Sequence, residues 1–174
     1  GLSLKDVKLT YRCGRSKWVS EKGDLLFTEK GISGPVTLSS GAKAVDRIAQ
    51  GRKVSVEMDI IPSKDPGDTE RALVSAFSSS PARNVKNILS EIVPGRLAGV
   101  ILEFAGIPPD KKANQATDKE KKRLARLFKA LRFDINGSGS FEEAQVTRGG
   151  VSVKDIDPRT MGSKKVKGLF FAGE

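Results

Sequence analysis

Leu2 and Leu4 alternate with polar neighbours, and Val7, Leu9 and Tyr11 then alternate in the opposite phase. Alternation is the period of a half-buried strand, so the slip near Asp6 predicts a bulge or tight turn within one strand region. A second strand is expected over 17–19, then a turn at Gly23-Asp24 and a third strand over 25–28. Val54, Val56, Met58 and Ile60 alternate strictly with Ser55, Glu57 and Asp59, the clearest strand signature in the chain. Between them the pattern fits a short helix capped by Ser39 or Ser40, with Ala44, Val45 and Ile48 on its apolar side and Gly51 at its end. Residues 1–62 therefore read as β-dominated, a small barrel.

The period becomes helical after Pro62-Ser63-Lys64-Asp65-Pro66-Gly67. One helix is expected after Asp68, with Leu73, Val74 and Phe77 on one side. Another follows Pro81, with Val85, Ile88, Leu89 and Ile92 at i, i+3, i+4 and i+7. A third follows Pro94, with Leu97, Val100, Ile101 and Phe104 at the same spacing, and stops at Gly106 before Pro108-Pro109. The fourth opens on a capping box, Thr117-Asp118-Lys119-Glu120, and buries Leu124, Leu127, Phe128 and Leu131. Strands are expected again over 146–153 and 169–172, the latter an apolar run closing on Gly173-Glu174. A β, then α, then β order is what a helical bundle nested within a β domain produces. The fold class expected is α+β, a small β-barrel with a nested helical bundle.

The 174 residues are 37% hydrophobic and 30% charged, a globular composition. No apolar stretch reaches membrane-spanning length, so no membrane partner is expected. The single cysteine, Cys13, cannot form an internal disulfide and suits a reducing cytoplasm. Histidine is absent. That excludes a Ser-His-Asp or Cys-His catalytic set among these residues and removes the commonest zinc ligand. Any redox chemistry would have to come from a cofactor. The formal charge is +10, and residues 110–132 hold nine Lys/Arg against three Asp/Glu. A solvated helix face is the simpler reading of that segment, so nucleic acid is not expected among the partners. The alternative is a basic RNA- or ribosome-binding β-barrel module whose affinity would depend on Lys119, Lys121, Lys122 and Arg123.

Three stretches could carry chemistry. Asp134, Asn136, Ser138 and Glu142 have the offsets of a calcium loop, with Gly139 also in place. Its twelfth position is Gln145 rather than a bidentate carboxylate, and a Gly/Ser hairpin turn is preferred, with no metal expected. Residues 25–35 end in Gly-x-Ser-Gly-Pro, a turn whose amides suit an anion or a close backbone approach. Ser33 lacks both the nucleophile-elbow spacing and a base. Gly149 and Gly150 interrupt a strand pattern, which fits either a bulge or a place where a flat ligand or another backbone lies flush. The terminal apolar run points the same way, because ligands of open α/β sheets bind outside the carboxyl ends of strands.

Together, residues 25–35, 144–153, 156–164 and 168–174 resemble the bacterial flavoproteins of the NAD(P)/FAD-dependent oxidoreductase, aminoacetone-oxidase type. Those proteins interrupt a glutathione-reductase-like, Rossmann-type FAD domain with a β-barrel and a small helical bundle. The resemblance implies a β-barrel subdomain over 1–62 plus 133–156, a helical bundle over 63–132, and a returning segment of the parent FAD domain over 157–174. It implies that Thr147, Gly149, Gly150, Val151, Gly173 and Glu174 approach the FAD. It also implies that Thr28, Glu29, Gly31, Ser33, Gly34 and Pro35 line the substrate side, with no catalytic residue of their own. Many members carry His where Glu29 stands, so a proton-transfer role does not carry over. The expected whole is a cytoplasmic flavoprotein that uses FAD, with NAD(P)H as reductant, on a small molecule. This piece would cover the flavin and, alone, would bind no FAD and catalyse nothing. Its partner would be the remainder of the FAD domain.

Overall fold

The computed structural model describes every residue except Phe141, Glu143, 145–148 and Glu174. The chain divides into two compact units, Gly1–Gly139 and Ser140–Glu174.

In the first unit the strands are β1 (Leu2–Cys13), β2 (Ser16–Val19), β3 (Gly23–Thr28), β4 (Gly31–Ser33), β5 (Val54–Asp59) and β6 (Leu131–Ile135). They form one antiparallel sheet of order β4-β3-β1-β5-β6, with β2 on β1. The sheet is mixed with helices as the α+β reading expects, and among the described residues its path is open rather than closed on itself. The phase slip is real. Asp6 adopts φ +52°, and the β1–β3 register shifts between Leu4 and Val7. An extra residue there reverses the pleat, so Leu4 and then Val7, Leu9, Tyr11 and Cys13 all point into the core. Buried Ser20 locks the far side: its hydroxyl accepts from Leu9 N–H at 2.9 Å and donates to the Glu21 carbonyl at 2.6 Å.

Several local expectations need correction. Gly23 and Asp24 belong to β3 rather than to a turn. Two helices, α1 (Pro35–Ser40) and α2 (Ala42–Ala49), occupy the stretch expected to hold one. Pro35 starts α1 with its preset φ, and Gly41 rather than Ser39 or Ser40 precedes α2. Ser40 instead turns its hydroxyl back onto the Val36 carbonyl.

The helical segment contains α3 (Pro66–Ser79), α4 (Val85–Leu89), α5 (Gly95–Ala105) and α6 (Asp118–Lys129). Asp65 caps α3 by accepting from Asp68 N–H at 2.7 Å, so this helix starts at Pro66, earlier than Asp68. Val74, Ile92, Val100 and Phe104 are exposed, contrary to the apolar stripes drawn from large residues alone. The buried side of α5 is Leu97, Ala98, Ile101, Leu102 and Ala105. Alanines at 98 and 105 rotate the packed face, because a small side chain lets another element approach closely. Gly106, at φ +65°, then ends α5 with a left-handed cap. Helices and sheet share one core that includes Val56, Met58, Phe128 and Leu131, and Leu131 pairs with Met58 in the β5–β6 ladder. The Ile60 N–H donates to the Phe128 carbonyl at 2.9 Å, joining the end of β5 to α6.

The second unit is held by turns and bridges. Ile156 pairs with Ser163 and Gly162 with Phe170, and the Asp155 carboxylate accepts from Lys165 Nζ at 2.7 Å. Val153–Asp155 is a 3₁₀ turn, not strand, and residues 169–172 contribute a single bridge at Phe170. The reason is visible in their exposure: Val153, Val166, Leu169 and Phe170 are all solvent-facing, so no packed partner draws them into a ladder. The rest of the strand expected over 146–153 falls partly outside the described residues.

Candidate functional site

The residues expected on the substrate side form one compact feature. Thr28 pairs with Gly31 across the β3–β4 hairpin, leaving Glu29 and Lys30 as its two-residue tip. Thr28 Oγ1 donates to the Gly31 carbonyl at 3.2 Å. Ser33 closes β4, and Gly34 turns the chain into α1 at Pro35. Gly34 has φ +93° and ψ 169°, a region essentially reserved for glycine. A Cβ there would meet the Asp24 carbonyl oxygen at 2.8 Å and Leu26 N at 3.0 Å. The close backbone approach expected of this motif therefore occurs within the chain itself. The turn's carbonyls are also used internally: Gly34 O accepts from Thr37 and Leu38 N–H, both at 3.0 Å, and Ser33 O from Thr37 Oγ1 at 3.1 Å.

Of the residues expected near a cofactor, Gly149, Gly150, Val151 and Gly173 are described, while Thr147 and Glu174 lie outside the described residues. Gly149 and Gly150 have φ +122° and +112°, and Gly173 has φ +141°. A Cβ placed on any of the three would meet nothing within 4 Å. Their bare backbone is thus open to an approaching group, and Val151 beside them is exposed. The calcium-like stretch begins inside a strand, since Asp134 pairs with Ser55 in the β5–β6 ladder. Its positions at Phe141, Glu143 and Gln145 are outside the described residues. Among the described residues, no three His, Cys, Asp or Glu side chains gather as a metal site. Nor is any helix there long and apolar enough to cross a membrane.

The basic segment resolves into two kinds of cation. Lys111 Nζ donates to Glu120 at 2.8 and 2.9 Å, and Lys121 Nζ to Asp118 at 3.2 Å. Arg123 Nη1 donates to the Ala105 carbonyl at 2.9 Å. Lys129 is tied to Asp59 at 2.7 Å. Glu120 also completes the capping box with Thr117, and the Lys111 ammonium beside it holds its carboxyl below the usual range. Lys119, Lys122 and Arg126 are exposed and take no part in these pairs. Sequence reasoning chose Lys121 and passed over Arg126; the i, i+3, i+7 spacing of 119, 122 and 126 was the available signal.

The family described as "HI0933-like protein barrel and H2TH domain" matches residues 1–146. The chain belongs to this family. It is a domain of FAD-dependent oxidoreductase-type proteins. Over all 174 residues the chain is 34% identical to a ribosomal RNA dihydrouridine synthase of Haemophilus influenzae, of which it covers 40%. Over 151 residues it is 31% identical to the ribosomal RNA dihydrouridine synthase of Escherichia coli, covering 87% of this chain and 35% of that protein. It is 25% identical over 169 residues to a 3-dehydro-bile acid delta(4,6)-reductase of Clostridium scindens, covering 97% and 41% respectively. The chain thus spans about two fifths of the relatives it matches.

Proposed function

We propose that this chain is the barrel-and-H2TH part of a cytoplasmic FAD-dependent reductase that saturates the C5–C6 double bond of a uridine in ribosomal RNA. The observation that carries the reading is the match over all 174 residues, at 34% identity, to part of a protein named for that reaction. The reactions named for the relatives share one chemistry, reduction of a carbon–carbon double bond conjugated to a carbonyl. This favours a double-bond reductase over the amine-oxidising aminoacetone-oxidase type within the same flavoprotein class. A net charge of +10 and unpaired exposed cations on α6 favour an RNA substrate over a small one. RNA thereby moves from alternative to principal partner.

The glycines fit a flavin in one respect. A flat group can lie against backbone only where no Cβ stands, and Gly149, Gly150 and Gly173 offer such backbone with open space. On this reading Thr147, Gly149, Gly150, Val151, Gly173 and Glu174 meet the FAD as part of a segment, 157–174 with its approach, returning to the parent FAD domain. FAD, once reduced by NAD(P)H, would supply the hydride to one carbon of the double bond, and a proton would complete the other. This chain's own contribution is to cover the flavin, exclude water and position the substrate. The β3–β4 hairpin and Gly34-Pro35 form a rigid wall on the substrate side, and Glu29 stands at its tip. Exposed Val153, Leu169 and Phe170 give the second unit an apolar surface for the rest of the parent protein to cover.

The test is the full-length parent incubated with ribosomal RNA lacking dihydrouridine, FAD and NAD(P)H. Nucleoside mass spectrometry should find uridine converted to a product heavier by two hydrogens. Flavin reduction by NAD(P)H without any such product in the RNA would overturn the substrate assignment.

A further inference from the structure

We propose that the outward face of α6, carried by Lys119, Lys122 and Arg126, is a track for the phosphate backbone of RNA. The proposal rests on the RNA reading given above and adds to it where the RNA is held. Three observations converge on this helix.

The first is spacing. Positions 119, 122 and 126 are at i, i+3 and i+7, so their side chains lie within one narrow stripe. The opposite face holds buried Leu124 and Phe128, which fixes the stripe toward solvent. From 119 to 126 the helix rises about 10 Å. One strand of a duplex presents about three phosphates over that axial length.

The second is the disposition of the acids. Asp118 and Glu120 are the carboxylates of α6, and they pair with Lys121 and Lys111, both off the stripe. Around the helix, Asp118 and Glu120 flank the stripe on either side without entering it. The stripe's positive charge is therefore not cancelled by its own helix. Glu70 of α3 is the acidic residue that shares a shallow groove with Lys122 and Arg126.

The third is anchoring. Arg123 is held on the Ala105 carbonyl, and Lys129 on Asp59 and on the carbonyls of Ile61 and Lys64. The middle and the C-terminal end of the stripe's helix are thus fixed to the body of the unit, so the cations are presented on a rigid rod. Phosphate contacts of this kind position a nucleic acid without reading its bases. Sequence choice would then belong to other parts of the parent protein.

The experiment measures binding of a fluorescein-labelled hairpin RNA to the complete chain by anisotropy across a salt series. Neutralising the stripe (K119Q, K122Q and R126Q together) should weaken binding at least tenfold at low salt. It should also flatten the slope of log affinity against log salt by about 2. A control of equal charge change at R15Q, K17Q and K22Q should keep both affinity and slope near wild type. Exchanging the cations (K119R, K122R and R126K) should restore binding. Equal loss in stripe and control variants would overturn the proposal in favour of net charge. Unchanged binding by the stripe variant, with wild type binding RNA, would overturn the stripe and leave the RNA reading standing. Competition by polyglutamate as strong as by unlabelled RNA would reassign the face to an acidic protein. Absence of RNA binding by wild type would sink both readings together.

Discussion

Lys129 Nζ lies 2.7 Å from Asp59 Oδ2 while also donating to the carbonyls of Ile61 and Lys64. The ammonium at the end of α6 thereby ties the helical segment to the end of β5. Both side chains are largely buried, 13% and 23% exposed, so the pair differs from the exposed ion pairs that contribute little. Lys129→Met should destabilise the chain by about 1–3 kcal/mol, because Asp59 and two carbonyls lose their donor. Trp18 is the sole tryptophan and stacks on Tyr11 at 5.3 Å. Its fluorescence in urea titrations gives the direct readout.

Gly34→Ala should cost more than about 2 kcal/mol, combining a glycine-only backbone region with contacts under 3.1 Å to β3. Gly51→Ala is the comparison. Gly51 is left-handed at φ +74° with open space around it, so the cost there should be confined to backbone strain of about 1 kcal/mol. Similar losses at both positions would show that the Gly34 approach to Asp24 and Leu26 is not tight.

Acid stability should depend on the α6 cap. The Lys111 hydrogen bond, foremost, holds the Glu120 carboxyl below its ordinary value, and the Asp68 N–H does the same for Asp65 at the start of α3. A depressed folded pKa stabilises the native state above the unfolded value, near 4.3 for Glu. That contribution fades as pH falls from there through the folded value. Glu120→Gln should therefore flatten the fall in melting temperature below about pH 4.5 while lowering the plateau at pH 7. An acid limb unchanged by this substitution would remove Glu120 from the account.

The first strand, the strand over 54–59 and the α6 cap were the most legible parts of this chain. Strict alternation over 54–60 needs no tertiary information, and a capping box is local chemistry between Thr117 and Glu120. The bulge at Asp6 was legible because a two-residue period leaves only one way to bury both halves of β1. The face of α5 was not, since Ala98 and Ala105 carry weak hydrophobic signal and their burial depends on the neighbouring helices. Gly34 was legible as a turn glycine, but not its approach to Asp24, which depends on pairing between β3 and β4. On α6 the charge was evident, yet which cations are free depended on carboxylates and carbonyls that only folding brings near.

The chain by itself should be colourless. Expressed alone and passed through gel filtration with added FAD, it should retain no flavin absorbance, since on the proposed reading three glycines and their neighbours would supply only one side of a cofactor site. The reading frame of the parent should supply Gly-x-Gly-x-x-Gly upstream, the strand-turn-helix that receives a pyrophosphate. Flavin retained by this chain would contradict that division of labour.

The most direct test is the dihydrouridine content of ribosomal RNA from cells in which the parent gene is deleted. The account predicts loss of a dihydrouridine that returns when the intact gene is restored. It also predicts partial recovery with the stripe variant at 119, 122 and 126. Ribosomal RNA with undiminished dihydrouridine after deletion would contradict the central claim.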